Sequence, residues 1–96
     1  MIYFNQQIKG AIKMTVQDKV QTLIEEGLDT NTKIISLDEN NRVVFVKYFK
    51  GEHLEYAVLS YNDRGIYSGR YFPTFAQSEK EAFQQAYDVY RTLAFQ

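Results

Sequence analysis

His53 is the only histidine in the chain, and it shares a strand face with Glu55 and Tyr48 if strands run through 42–50 and 53–61. An imidazole beside a carboxylate could begin a general base or one corner of a metal site, but both need further convergent groups. With no cysteine and no second histidine, transition-metal binding is not expected, and no cofactor is expected either. Ser36, Ser60 and Ser68 lack the glycine-flanked elbow that presents a nucleophile. Glu25–Glu26 and Asp38–Glu39 are sequence neighbours, and adjacent helical positions do not face each other. They read as solvated surface rather than as an acid/base pair. No glycine-rich phosphate loop is present, so the expectation is a protein that binds and does not catalyse.

The chemistry that remains is recognition. Arg42, Lys47, Lys50, Arg64 and Arg70 are interleaved with Tyr48, Tyr56, Tyr61, Tyr67 and Tyr71, most densely in YNDRGIYSGRYFPTF at 61–75. Cations of this kind contact phosphates, and tyrosine rings stack on bases. Tyrosine and arginine are equally the favoured anchors of protein interfaces. Tyrosine is also an ordinary strand residue whose hydroxyl reaches the rim of a core. A formal net charge of -1 supplies no general attraction for phosphates, so a nucleic-acid site would have to be a local patch.

Ninety-six residues, 45% hydrophobic and 24% charged, suit a single globular domain spanning 1–96. The N-terminus lacks the features of a signal peptide and no segment approaches a membrane span, so no membrane partner and a cytoplasmic location are expected. Abundant Phe, Tyr, Ile, Lys and Asn suit an AT-rich genome, which points to a low-GC bacterium, a plasmid or a phage.

The elements that must position these residues follow from pattern. Ser78 followed by Glu81 forms a capping box, and Ala82, Phe83, Ala86, Tyr87, Tyr90, Leu93 and Ala94 make an apolar stripe, which predicts a helix over 78–95. Thr15 as N-cap, apolar Val16, Val20, Leu23 and Ile24, and a stop at Gly27 predict another over 15–27. Residues 1–14 read as an arm or a helical extension. Between the helices, 32–73 are rich in β-branched and aromatic residues with turns at DENN, KGE and NDRG. The fold expected is α+β: an N-terminal helix, a four-stranded antiparallel meander and a C-terminal amphipathic helix packed on the sheet.

Strand alternation then divides the side chains. One face would carry Ile35, Leu37, Arg42, Val44, Tyr48, Glu55, Arg70 and Phe72, and the other Ile34, Ser36, Phe45, Lys47, Tyr56, Tyr67 and Tyr71. Neither face is cleanly polar, so something covers part of each. Alternation does not choose between one helix on each face and both helices on one.

RGIYSGRYF followed by SEKEAFQQAYD, within residues 42–94, resembles the end of AP2-like DNA-binding domains, which are related to integrase arm-type domains. There a strand ending Y-x-G-x-F leads into a helix containing E-A-x-x-A-Y. The positions that carry the resemblance are Tyr67, Gly69, Tyr71 or Phe72, Glu81, Ala82, Gln85 or Ala86, and Tyr87. The resemblance implies DNA contacts by Arg42, Lys47, Arg64 and Arg70. Two functions are therefore expected from different classes. One is a small non-enzymatic interaction protein that binds a protein partner or itself through Tyr48, Tyr56, Tyr67, Tyr71 and Phe72 on a Tyr-rich sheet face, with a phage- or plasmid-borne inhibitor as a special case. The alternative is a DNA- or RNA-binding regulator using the four cations.

Overall fold

The computed structural model describes residues 15–27, 31–75 and 77–95; the arm expected at 1–14 lies outside them. Helix α1 spans Val16–Gly27, strands β1 to β4 span Lys33–Asp38, Val43–Lys50, His53–Asn62 and Gly65–Pro73, and helix α2 spans Glu79–Ala94. The strands form one antiparallel meander in the order β1-β2-β3-β4, and the fold is α+β.

Both helices begin on reciprocal caps. Thr15 Oγ1 accepts from the Asp18 amide at 3.0 Å, and Asp18 Oδ2 accepts from the Thr15 amide at 3.2 Å. At α2, Ser78 Oγ accepts from the Glu81 amide at 3.1 Å, and Glu81 Oε1 accepts from the Ser78 amide at 3.2 Å. Each cap satisfies backbone donors that the first helical turn leaves open.

The turns set the register. Lys50 pairs with His53 across Gly51–Glu52, where Gly51 takes a φ of 67° that a residue with a Cβ avoids. Asn62 Oδ1 accepts from the amides of Arg64 and Gly65 at 2.8 and 3.2 Å, an Asx turn joining β3 to β4. Before β2, Asp38 Oδ1 accepts from the Asn40 amide at 3.0 Å, and Arg42 is left at a φ of 54°. That left-handed residue belongs to the turn, so Arg42 does not take the strand position expected of it.

The helices cover opposite faces of the sheet. Val20 and Ile24 of α1 pack on Val44, Val46, Ala57 and Leu59, with Tyr48 and Tyr61 in the same cluster. Ala82, Ala86, Tyr90 and Ala94 of α2 pack on Val43, Phe45, Tyr56 and Val58. Val43 to Val46 are consequently buried without alternation, as expected of a strand covered on both sides. Three hydrogen bonds fasten α2 along its length: Tyr56 Oη donates to Glu79 Oε2 at 2.8 Å, Ser36 Oγ to Tyr90 Oη at 2.9 Å, and Asn41 Nδ2 to the Ala94 carbonyl at 2.6 Å.

Two bulges overturn part of the expected division into faces. In β4, Ser68 pairs with Ser60 but Ile66 pairs with Tyr61, which leaves Tyr67 as the extra residue. Beyond it every side chain of β4 changes face. Gly69 and Tyr71 pair with Leu59 and Ala57 on the α1 side, while Arg70 and Phe72 pair with Val58 and Tyr56 on the α2 side. Tyr71 therefore stands with Tyr48 and Glu55, and Arg70 and Phe72 with Tyr56, the reverse of the simple alternation. Without the extra residue, Arg70 would point to the side where Leu59 and Ala57 are fully buried, and a guanidinium there would lack its water. In β1 the register shifts between Ile34 and Ser36, so Ile34 joins Leu37 on the α1 side rather than facing α2.

Candidate interaction surfaces

Two of the aromatic candidates belong to the core and correct the expectation that they form a surface. Tyr48 is buried on β2 and donates its hydroxyl proton to Glu55 Oε2, directly opposite on β3 and buried as well. Burial, followed by the bond to Glu55, pushes the Tyr48 pKa upward: a phenolate beside that carboxylate would place two negative charges in one apolar setting. Tyr56 lies under α2, and burial together with its bond to Glu79 pushes its pKa up to about 12. Phe72 is half-buried and packs against the α2 cluster.

Tyr67 and Tyr71 do reach solvent, at 66% and 48% exposure. Tyr67 is exposed at the bulge. Tyr71 lies back along its own strand over Gly69, where an added Cβ would sit 2.7 Å from the Tyr71 hydroxyl oxygen and 3.0 Å from a Leu59 methyl. The bare glycine backbone thus provides the seat for the phenol. Four residues further on, Phe75 is exposed and meets the His53 ring edge-on with centroids 6.0 Å apart. His53, the one histidine, is an exposed neighbour of an aromatic ring at the end of a hairpin.

Sequence reasoning did not single out Phe49, Phe75 or Phe95, all of which are exposed. For Phe75 a signal existed, its spacing of four from Tyr71 and eight from Tyr67. The stripe assigned to the core of α2 is also narrower than expected. Ala82, Ala86, Tyr90 and Ala94 are buried, whereas Phe83 and Tyr87 are partly open on the flank. Their rings stack at 6.2 Å and 9°, and the Arg91 guanidinium lies 5.7 Å from the Tyr87 centroid.

The four cations do not converge. Arg42 and Arg64 occupy the turns at one end of the sheet, and Arg42 lies 3.7 Å from Asp63 in a solvent-exposed ion pair, a contact of small energy. Beside them a cleft of about 570 Å³ between α1 and these turns mixes Lys19 and Arg42 with Glu39 and Asp63 over Val20, Leu23 and Tyr61. Burial first, and then Glu39, raises the Tyr61 pKa, while Arg42 opposes the shift. Lys47 and Arg70 share the α2 side, but their β3 partners Tyr56 and Val58 are buried under the helix between them. Arg70 borders α2 in a recess shared with Asp88.

Among the described residues no group of three or more His, Asp or Glu is placed to hold a metal ion, and no helix is long and apolar enough to cross a membrane. Comparison with models of protein families, with curated protein sequences and with solved structures returned no match.

Proposed function

We propose that this protein is a small, non-enzymatic interaction module that binds a protein partner through the outer edge of β4, with Tyr67, Tyr71 and Phe75 as its anchors. The observation that carries this reading is the exposure of Tyr67 and Tyr71 on an outer strand of the sheet and of Phe75 two residues beyond its end, the three rings at four-residue spacing. Neither Tyr67 nor Tyr71 hydroxyl has a hydrogen-bond partner among the described residues. Large rings with few rotatable bonds give contact area at low entropic cost, and their hydroxyls can bond a partner's backbone. Tyr71 is held in place by its seat on Gly69, so little of its freedom remains to be lost on binding. The dispersal of Arg42, Lys47, Arg64 and Arg70 favours this reading over the nucleic-acid alternative, because phosphate binding draws its strength from several cations acting along one track.

The test uses immobilised protein against the soluble extract of its own cells, with wild type beside Tyr67→Ser, Tyr71→Ser and the pair Arg42→Ala, Arg64→Ala. The expected result is a defined protein retained at moderate salt by wild type and by the arginine pair. Each tyrosine variant should lose roughly 30-fold in affinity, as for a central interface anchor. Retention that ignores both tyrosines, or capture of nucleic acid that disappears with added salt, would overturn the reading.

A further inference from the structure

The other outer strand, β1, has no neighbour on its outer edge among the described residues, and its sequence is KIISLD. An open edge presents unpaired amides and carbonyls to any strand that fits. From its charge and its bulge we infer that the strand that fits β1 is β1 of a second copy, laid antiparallel across a two-fold axis.

The bulge decides the register. Before it, Lys33 pairs with Lys47 and Ile34 with Val46; after it, Ser36 pairs with Phe45, Leu37 with Val44 and Asp38 with Val43. Ile34 and Leu37 therefore lie on the α1 side, and Lys33 and Asp38 on the α2 side. In a regular strand, residues three or five apart point to opposite faces; the shift at Ile35 brings each of these pairs to a common face. When Ile34 is set opposite Leu37 of the second copy, Lys33 falls opposite Asp38 of the second copy. Both pairs then agree face for face, and the two-fold repeats each of them.

Charge selects the same occupant. Lys33 stands directly across from Lys47, and like charges in that position repel. Neither lysine has a salt-bridge partner among the described residues. At the opposite end of β1, Asp38 is followed by Glu39. One end of the strand is thus cationic and the other anionic, and a two-fold axis brings the unlike ends together twice. A peptide of uniform charge would be attracted at one end and repelled at the other. The result is an isologous dimer with a continuous sheet. It involves the edge opposite β4, so its failure would leave the β4 reading intact, and the reverse also holds.

Sedimentation equilibrium of the full chain, from low micromolar to millimolar concentration, tests this. Wild type should pass from monomer to dimer, with the dimer weakened by added salt. Lys33→Glu alone and Asp38→Lys alone should each dissociate the dimer roughly tenfold more readily, because each sets like charges opposite one another twice. An equimolar mixture of the two variants should form a heterodimer, since both of its cross-strand pairs are then opposite in sign. Because the Asp38 carboxylate also bonds the Asn40 amide in the turn, circular dichroism must report a native fold for Asp38→Lys. Hydrogen exchange of the Ile34 and Leu37 amides in wild type gives an independent reading, with protection rising with protein concentration. A monomer at every concentration, or a dimer indifferent to Lys33→Glu, overturns the inference.

Discussion

Tyr56 ties the stability of the fold to the state of a single proton. Its pKa is pushed up to about 12 from the ordinary 10.0 by burial and by the bond to Glu79, and that of Tyr48 moves in the same direction. In the unfolded chain both phenols ionise near pH 10, whereas in the folded protein they remain neutral. The unfolded state therefore binds fewer protons above that pH, and stability falls as pH rises. The contribution is whole below about pH 10 and is lost from there toward about pH 12. Urea midpoints should be level through neutral pH and decline from pH 10, and Tyr56→Phe, which has nothing to titrate, should decline less steeply. An identical slope in that variant would mean that Tyr56 does not contribute to the alkaline loss.

Among the elements, α2 depends most on its first turn. The Ser78–Glu81 box closes that turn, and the adjacent Glu79 holds Tyr56, so cap and tether act on the same few residues. Ser78→Ala should cost about 1 kcal/mol of unfolding free energy, read as a lower urea midpoint with an unchanged slope. The box was legible because it is a local pattern that needs only Ser and Glu three apart. The four strands and their order were legible for a related reason: each turn announces itself in neighbouring residues, as Gly51–Glu52 and Asn62–Gly65 do. The Tyr48–Glu55 pairing follows from the register that Gly51–Glu52 imposes. The faces beyond Tyr67 and before Ser36 were not legible, because a bulge adds one residue without any punctuation in the chain. What calls for it is tertiary: Arg70 must avoid the buried side of Leu59, and α1 must receive both Ile34 and Leu37. Exposure of Tyr71 and burial of Tyr56 depend in the same way on which face each helix covers, and alternation within a strand does not contain that choice.

For the whole molecule, the two proposals give the two outer strands separate tasks. Pairing through β1 would leave each β4 edge at a far end of the joined sheet, so that a dimer offers two copies of the Tyr67–Tyr71–Phe75 surface. On a densely coated surface of partner, wild type should be retained roughly a hundredfold more tightly than Lys33→Glu through its second attachment, while the two proteins bind free partner in solution with equal affinity. Equal retention on the surface would show that the two edges do not act together. The meander has another consequence, which concerns the protein's synthesis. Every strand finds its partner next to it in the chain, but α2, which closes over Phe45, Tyr56 and Val58, is made after all four strands. Until Glu79–Ala94 leaves the ribosome, those side chains lack the cover that this helix provides. At ordinary elongation speeds the 16 residues of that helix take on the order of one to a few seconds. The interval in which a chaperone finds this chain most adhesive therefore includes the time needed to translate that helix.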